Sequence, residues 1–240
     1  FNLKNLNLSE NMQNSYKRVD AHLSSLGYCT RSEAKRFLSK NLVCINGVRV
    51  FDVKEKAYHS DITVDGERLD DERLVILMNK PSGLICSHDD AGVLIYSLLP
   101  QRWQRRNPKI STIGRLDADT TGAILLTDDG ELNHKFTGPK SDVVKVYEAT
   151  LAEPLRGDEA EIFASGALML RGEKKPLLPA KIQIIEPTLA RLEICEGRYH
   201  QVKRMFGAVG NRVVALHRVR FGEYSVDGLE PSEYKIINLS

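Results

Sequence analysis

The stretch GRLDADTTGAILLTDDG, residues 114–130, sets four aspartates and one arginine around an apolar run. A carboxylate fixed on a polar loop can act as a nucleophile or stabilise a positive centre, provided neighbours keep it charged and oriented. A lone aspartate on such a loop more often forms a turn or caps a helix, so the neighbours decide. Arg115 and Asp117 stand two apart, the spacing that puts both on one face of an extended segment. Thr120, Thr121 and Gly122 follow, offering two hydroxyl donors and a residue that permits close backbone approach. Asp119 reads as a loop-stabilising group, and Asp128 or Asp129 as the cap of the next helix.

A second polar cluster lies downstream in EGRYHQVKRMFGAVGN, residues 196–211. It reads as a strand end, a turn at Gly197, and a helix whose Val202, Met205, Phe206 and Val209 face the core until Gly210 stops it. Arg198, His200, Gln201, Lys203 and Arg204 fall in its first turns. They fit plain surface residues equally well as groups that pair with Asp117 or contact phosphates.

The elements that must position these residues follow from periodicity. YKRVDAHLSSLG places Val19, Leu23 and Leu26 at helical spacing and stops at Gly27. TRSEAKRFLSKN opens with Thr30 and Glu33 at capping-box spacing, and Ala34, Phe37 and Leu38 form its apolar stripe. Asn46-Gly47 and Asp65-Gly66 mark two β-hairpins. Beyond the acidic stretch DGERLDDER, residues 65–73, which reads as a hinge, strand-like runs at 75–78, 123–127, 143–151, 180–186, 190–195 and 212–219 alternate with helical ones at 129–136, 158–165 and 198–209. Several strands alternate with period two, which favours an α+β fold: a mixed, largely antiparallel sheet with flanking helices. The expected organisation is a flexible extension (1–15), a small helix-hairpin module (16–70) and a larger domain (71–240).

The 240 residues carry a net charge of only +2, so the distribution matters more than the total. Residues 16–56 hold nine Lys/Arg against four Asp/Glu, and QRWQRRNPKI, residues 101–110, holds four basic residues and no acid. On the second helix Arg31, Lys35, Arg36 and Lys40 share the face opposite the apolar stripe. Beside a tight turn, that is the footprint of contact with a phosphate backbone. Cys29, Cys44, Cys86 and Cys195 lie far apart without a CxxC pair, which reads as reduced, buried thiols in a cytosol-like compartment. The opening on Phe1 is also compatible with a removed targeting peptide and an organellar location. No run is long and apolar enough for a membrane span.

Arg18-Val19-Asp20, Leu23, Arg31, Ala34, Leu38 and VCINGVRV resemble the small RNA-binding domain named after ribosomal small-subunit protein S-four. GRLDADTTGAILLTDDG, KVYEATL and GRYHQVKRMF, in that order after LMNKPSG, resemble the ribosomal RNA pseudouridine synthases of the small-subunit type. The resemblance implies isomerisation of a uridine in small-subunit RNA, with Asp117 as the reacting carboxylate, Arg115 near the flipped base, Tyr147 as the active-site tyrosine and Lys203 as the basic partner of the aspartate. It also implies RNA contacts from Arg18, Arg31, Lys35, Arg36, Lys40, Lys80, Arg198, His200, Gln201 and Arg204. No cofactor or metal is expected, the partner is ribosomal RNA or an assembling particle, and the chain is expected to act as a monomer.

Three other readings stay open at this level: a synthase acting on large-subunit RNA, a non-catalytic RNA-binding assembly factor, and a magnesium-dependent phosphatase suggested by DADTT. The last would want an apolar strand leading directly into Asp117, where STIGRL intervenes. His88-Asp89-Asp90 and the scattered His134, His200 and His217 have no ligand spacing that marks a metal site.

Overall fold

The computed structural model describes residues 14–138 and 141–237. The loose extension expected over 1–15 lies outside these residues as far as 13. Residues 14 and 15 are held: Asn14 accepts a hydrogen bond from the Ser60 amide, and the Ser15 hydroxyl donates to Glu72.

The N-terminal part runs β1 (Tyr16–Arg18), α1 (Val19–Ser25), α2 (Ala34–Lys40), β2 (Val43–Ile45), β3 (Val48–Arg49), β4 (Lys56–Tyr58), β5 (Ile62–Val64) and β6 (Glu67–Arg68). The order β3-β2-β5-β6 makes a four-stranded antiparallel sheet, while β1 pairs with β4. Both hairpins turn where expected, with Asn46 and Gly47 at φ 48° and 79° and Asp65 and Gly66 at 52° and 88°, the left-handed pair that a two-residue turn needs. Thr30 and Glu33 close their reciprocal box, the Glu33 amide donating to the Thr30 hydroxyl at 3.3 Å and the Thr30 amide to the Glu33 carboxylate at 2.9 Å. Val19, Leu23, Leu38, Val43 and Ile62 fill the core beneath. Arg31, Lys35, Arg36 and Lys40 are all exposed.

The larger part runs β7 (Val75–Lys80), β8 (Ser111–Ile113), β9 (Thr121–Thr127), α3 (Gly130–Thr137), β10 (Lys145–Leu151), α4 (Glu159–Ala164), β11 (Lys181–Glu186), β12 (Leu189–Ile194), α5 (Gln201–Ala208), β13 (Val213–Phe221), β14 (Tyr224–Ser225) and β15 (Tyr234–Ile236). Strand order is β11-β12-β10-β13-β9-β7-β15, with β8 on β9 and β14 on β13. Every pairing is antiparallel except β13 with β9, which is the mixed, largely antiparallel sheet the sequence predicts. Residues 75–78 of β7 and 123–126 of β9 are unbroken apolar runs because both faces are covered. Ile76, Met78, Ile124 and Leu126 enter one core, and Val75, Leu77, Ala123 and Leu125 the other. Asp129 caps α3, accepting from the Glu131 and Leu132 amides. Among the described residues no helix is long and apolar enough to cross a membrane.

The acidic stretch is not a hinge. Asp70 accepts from Arg102 at 2.9 Å and from the Trp103 indole at 2.8 Å. Arg106, fully buried, donates to the Asp71 and Glu72 carbonyls and to Asp128 at 2.6 Å. The Asn107 amide donates to Ser25, and Tyr28 lies under the Arg102 guanidinium at 4.3 Å. The basic segment 101–110 therefore spends Arg102 and Arg106 on holding the two parts together. A composition that reads as flexible is pinned by partners distant in sequence, which is why local signals misread it.

Asp128 also accepts from the Leu74 amide at 2.8 Å. Asparagine there would turn an amide donor toward Arg106 or toward that N–H and leave a buried cation without its counter-charge. Asp128→Asn should cost about 3–5 kcal/mol of unfolding free energy, read from denaturant curves; a loss below about 1 kcal/mol would mean the pair behaves as a surface one.

The cysteines are free. Cys44 and Cys86 are buried, but Cys29 and Cys195 are only half-buried, so the buried reading holds for two of four. Among the described residues, His22, His59 and Glu72 form the one group of three whose potential ligand atoms cluster, and it includes none of the sets singled out above. Lys17 already neutralises its carboxylate at 3.0 Å.

Candidate active site

Asp117 lies on the loop between β8 and β9, not in an extended strand, so Arg115 and Asp117 do not share a pleat face. What shapes the loop is Lys80. Its side chain is fully buried, and its ammonium donates to the carbonyls of Pro81, Asp117, Ala118 and Thr120 at 3.2, 3.1, 3.1 and 2.9 Å. Burial lowers its pKa, opposed by Cys86, Asp119 and Asp117. The Gly83 amide donates to the Ala118 carbonyl at 2.7 Å, and the Thr120 amide to that of Asp117 at 3.1 Å. Expected as an RNA contact, Lys80 instead organises the loop backbone, its ammonium taken up by four carbonyls.

Helix α5 brings the counter-charge, and the residue before it a ring nitrogen. Lys203 Nζ donates to Asp117 Oδ2 at 2.9 Å and to Asp119 Oδ1 at 2.7 Å, while His200 Nε2 stands 3.2 Å from Asp117 Oδ1. Both carboxylate oxygens of Asp117 are thus occupied, and its direction is fixed. His200 sits at φ 47°, a left-handed conformation unusual for its type, just before the helix begins. Its ring stacks on Tyr199, whose side chain is exposed, with centroids 3.8 Å apart. The regular helix starts at Gln201 rather than at 198 because Gln201 Oε1 takes the Arg198 amide. Burial lowers the pKa of Lys203, but its bonds to Asp119 and Asp117 outweigh that and raise it; the bond from Lys203 lowers that of Asp119.

Several expected RNA contacts are turned inward. Arg198 donates to Glu196, Glu173 and the carbonyls of Lys175 and Pro176, and Arg204 to Glu173 and the carbonyls of Tyr199 and Arg171. Together they clamp the 171–176 loop on α5. Gln201 is buried and donates to Glu196. Arg18 is held by Asp20 through two bonds. Positive charge on a helix's first turn says nothing about whether acids elsewhere in the chain have taken it. Arg115 remains exposed, with only a 3.5 Å contact to Asp90.

A cleft of about 380 Å³ opens among these groups, lined by Arg115, Asp117, Lys145, Tyr147, His200 and Arg218. Tyr147 is on β10, buried, opposite Arg218 of β13. Arg218 escaped the sequence reading. Leu216 and Arg218 stand two apart on β13 and both point inward, so period-two parity was the available signal. The cleft thus offers a fixed, doubly contacted carboxylate facing a buried aromatic ring, with cations around both. That set suits attack on, or stabilisation of, an electron-poor carbon beside a flat base.

The sequence profile of the family described as RNA pseudouridylate synthase matches residues 74–208, and that of the S4 domain matches residues 17–57. The chain belongs to the RNA pseudouridylate synthases. It is 39% identical over 229 residues to the ribosomal small subunit pseudouridine synthase A of Vibrio cholerae (92% of this chain, 95% of the relative) and 41% identical over 225 residues to that of Escherichia coli strain K12 (91% and 95%). A solved crystal structure of a pseudouridylate synthase superimposes with TM-score 0.64 at 38% identity, covering 92% of this chain and 96% of that one. As a member of this family the chain is an RNA isomerase, and the phosphatase and pure-binder readings fall away.

The geometry also separates the aspartates of this synthase. Asp119 is exposed and shares Lys203 without facing the cleft as Asp117 does. Asp119→Asn should retain measurable turnover, slowed by less than about tenfold, because an exposed pair is worth about 0–1 kcal/mol. Loss of all pseudouridine formation in Asp119→Asn, with turnover kept in Asp117→Asn, would make Asp119 the reacting carboxylate.

Proposed function

We propose that this synthase converts a specific uridine of small-subunit ribosomal RNA to pseudouridine, in the cytoplasm of a bacterium and as a monomer. The substrate reading is supported by its bacterial relatives, which are ribosomal small subunit pseudouridine synthases. Residues 16–70 grip structured RNA through Arg31, Lys35, Arg36 and Lys40, and residues 71–240 carry the chemistry.

The observation that carries the mechanism is Asp117 held by Lys203 and His200 at the cleft that Tyr147 lines. The target nucleotide is extruded from its helix, and the exposed Arg115 at the rim is placed to occupy the vacated space. Its base stacks on Tyr147. The C1′–N1 bond breaks with its electron pair on the base, and Asp117 meets the positive character at C1′. The base turns, C5 bonds to C1′, and the proton lost from C5 is balanced by one gained at N1. No electrons enter or leave, so the isomerisation has no redox requirement.

The test is incubation of the full chain with small-subunit RNA, free and in partly assembled particles, followed by chemical mapping of pseudouridine. A single new site in small-subunit RNA is expected. A site only in large-subunit RNA would overturn the substrate assignment while keeping the enzyme.

A further inference from the structure

Arg218 is a buried cation that no acid among the described residues neutralises. Its residue is 2% exposed, and among the described residues it makes no ion pair. Nε donates to the Ala123 carbonyl at 2.6 Å, and Nη1 reaches the Tyr147 hydroxyl at 3.4 Å, a long contact. Nη2 is buried with no hydrogen-bond partner. The guanidinium carbon lies 5.1 Å from the Phe221 ring centroid and 5.8 Å from that of Tyr147, contacts that hold the plane without using its N–H groups. Arg218 lines the same cleft as Asp117.

Such a group is costly to keep. A buried charge is normally paired, and an unmade hydrogen bond from a charged donor costs more than a neutral one. The chain nevertheless fixes its position tightly. On the one parallel pairing of the sheet, Arg218 registers with Gly122 at the end of the Asp117 loop. Gly122 has φ +104°, and a Cβ there would stand 2.2 Å from the Arg218 carbonyl oxygen. The backbone that carries Arg218 is thereby locked to the strand that leaves the Asp117 loop. Lys145, in the same cleft, has its pKa lowered by burial first and by Arg218 second, so positive charge accumulates here.

We infer that Arg218 is a catalytic residue that donates from its free Nη2 to a carbonyl oxygen of the flipped uracil, where negative charge collects as the C1′–N1 bond breaks. The inference rests on the family reaction proposed above. The electron pair of that bond passes to the base and spreads over N1, O2 and O4. A donor fixed before the substrate arrives is worth most where charge develops, in a cleft that excludes water. Asp117 then answers the sugar's positive charge and Arg218 the base's negative charge. Tyr147 lies between them in function, carrying the ring whose oxygens Arg218 reads.

Arg218→Met, Arg218→Lys and Arg218→Ala in the full chain would be compared with wild type on whichever ribosomal RNA wild type modifies, in single turnover with saturating enzyme. This separates failure of the inference from failure of the substrate assignment. The methionine variant should slow by about 100-fold or more while RNA affinity changes by less than about threefold, and lysine should recover part of the rate. Added guanidinium should raise the rate of the alanine variant and not of wild type, without raising its unfolding temperature. If the methionine variant does not fold, the lysine and alanine variants with guanidinium carry the test. Rates within about fivefold of wild type, a rate loss matched by lost affinity, or no guanidinium rescue in a folded alanine variant would each overturn the inference.

Discussion

Replacing Asp117 by asparagine should abolish pseudouridine formation while leaving RNA affinity within about threefold of wild type. The expected loss is on the order of 10⁴-fold or more, the scale seen when a group that bonds to or directly stabilises the reacting carbon is removed. The substitution is nearly isosteric, and the loop would keep its shape because Lys80 holds it by backbone carbonyls rather than by the Asp117 side chain. What is lost is charge. Asparagine presents one neutral oxygen and one amide donor where Asp117 presents two charged oxygens, so Lys203 loses its counter-charge or meets a second donor. In the function proposed above, affinity persists because phosphate contacts are assigned to the exposed cations of α2, far along the chain from Asp117. Chemical mapping of the product and filter retention of labelled RNA read the two quantities separately. Retained turnover would remove Asp117 from the reaction.

How much of this was legible from the chain depends on the range of the signal. Asn46-Gly47, Asp65-Gly66, the Thr30–Glu33 box and the Asp129 cap are decided by residues within a few positions, and the structure has all four. The apolar faces of α2 and α5 follow from the 3.6-residue repeat in the same way. Lys80, Arg106 and Arg218 were not legible as what they are. Apart from the Pro81 carbonyl next to Lys80, the partners of these cations lie between 22 and 95 residues away, and composition counts each as surface charge. The same blindness made Arg198 and Arg204 look free, because Glu173 and the carbonyls of Arg171, Lys175 and Pro176 that bind them carry no local mark. It made 65–73 look like a tether. Motif order located Asp117, Tyr147 and Lys203. That Asp117 and Tyr147 line one cleft, with Lys203 bonded to Asp117 beside it, is a consequence of β10, β13 and α5 meeting at the end of β9, which only the sheet order reveals.

Lys203→Met should reduce the single-turnover rate by about 10²–10³-fold, the usual scale for removing one positioned charge from a reacting centre, with a smaller effect on RNA binding. Methionine keeps most of the stem's volume, so α5 can still pack through Val202, Met205 and Phe206. Asp117 and Asp119 would then face one another across the space the ammonium held, with His200 as the sole remaining contact to Asp117 among those seen. Two carboxylates without a shared cation repel, and the proton taken up to relieve that repulsion falls on one of them. The consequence is a pH signature. In wild type the raised pKa of Lys203 keeps the ammonium in place up to and beyond the ordinary lysine value, so its contribution is complete below about 10.5 and lost only above. The lowered pKa of Asp119 keeps that carboxylate charged down through the ordinary aspartate range. Without Lys203 the acid limb of the rate profile should therefore move to higher pH. A purely structural role would lower the rate evenly at all pH values, and a phosphate-contact role would weaken binding and flatten its salt dependence by about one in the log–log slope. Either result would break the link between Lys203 and Asp117.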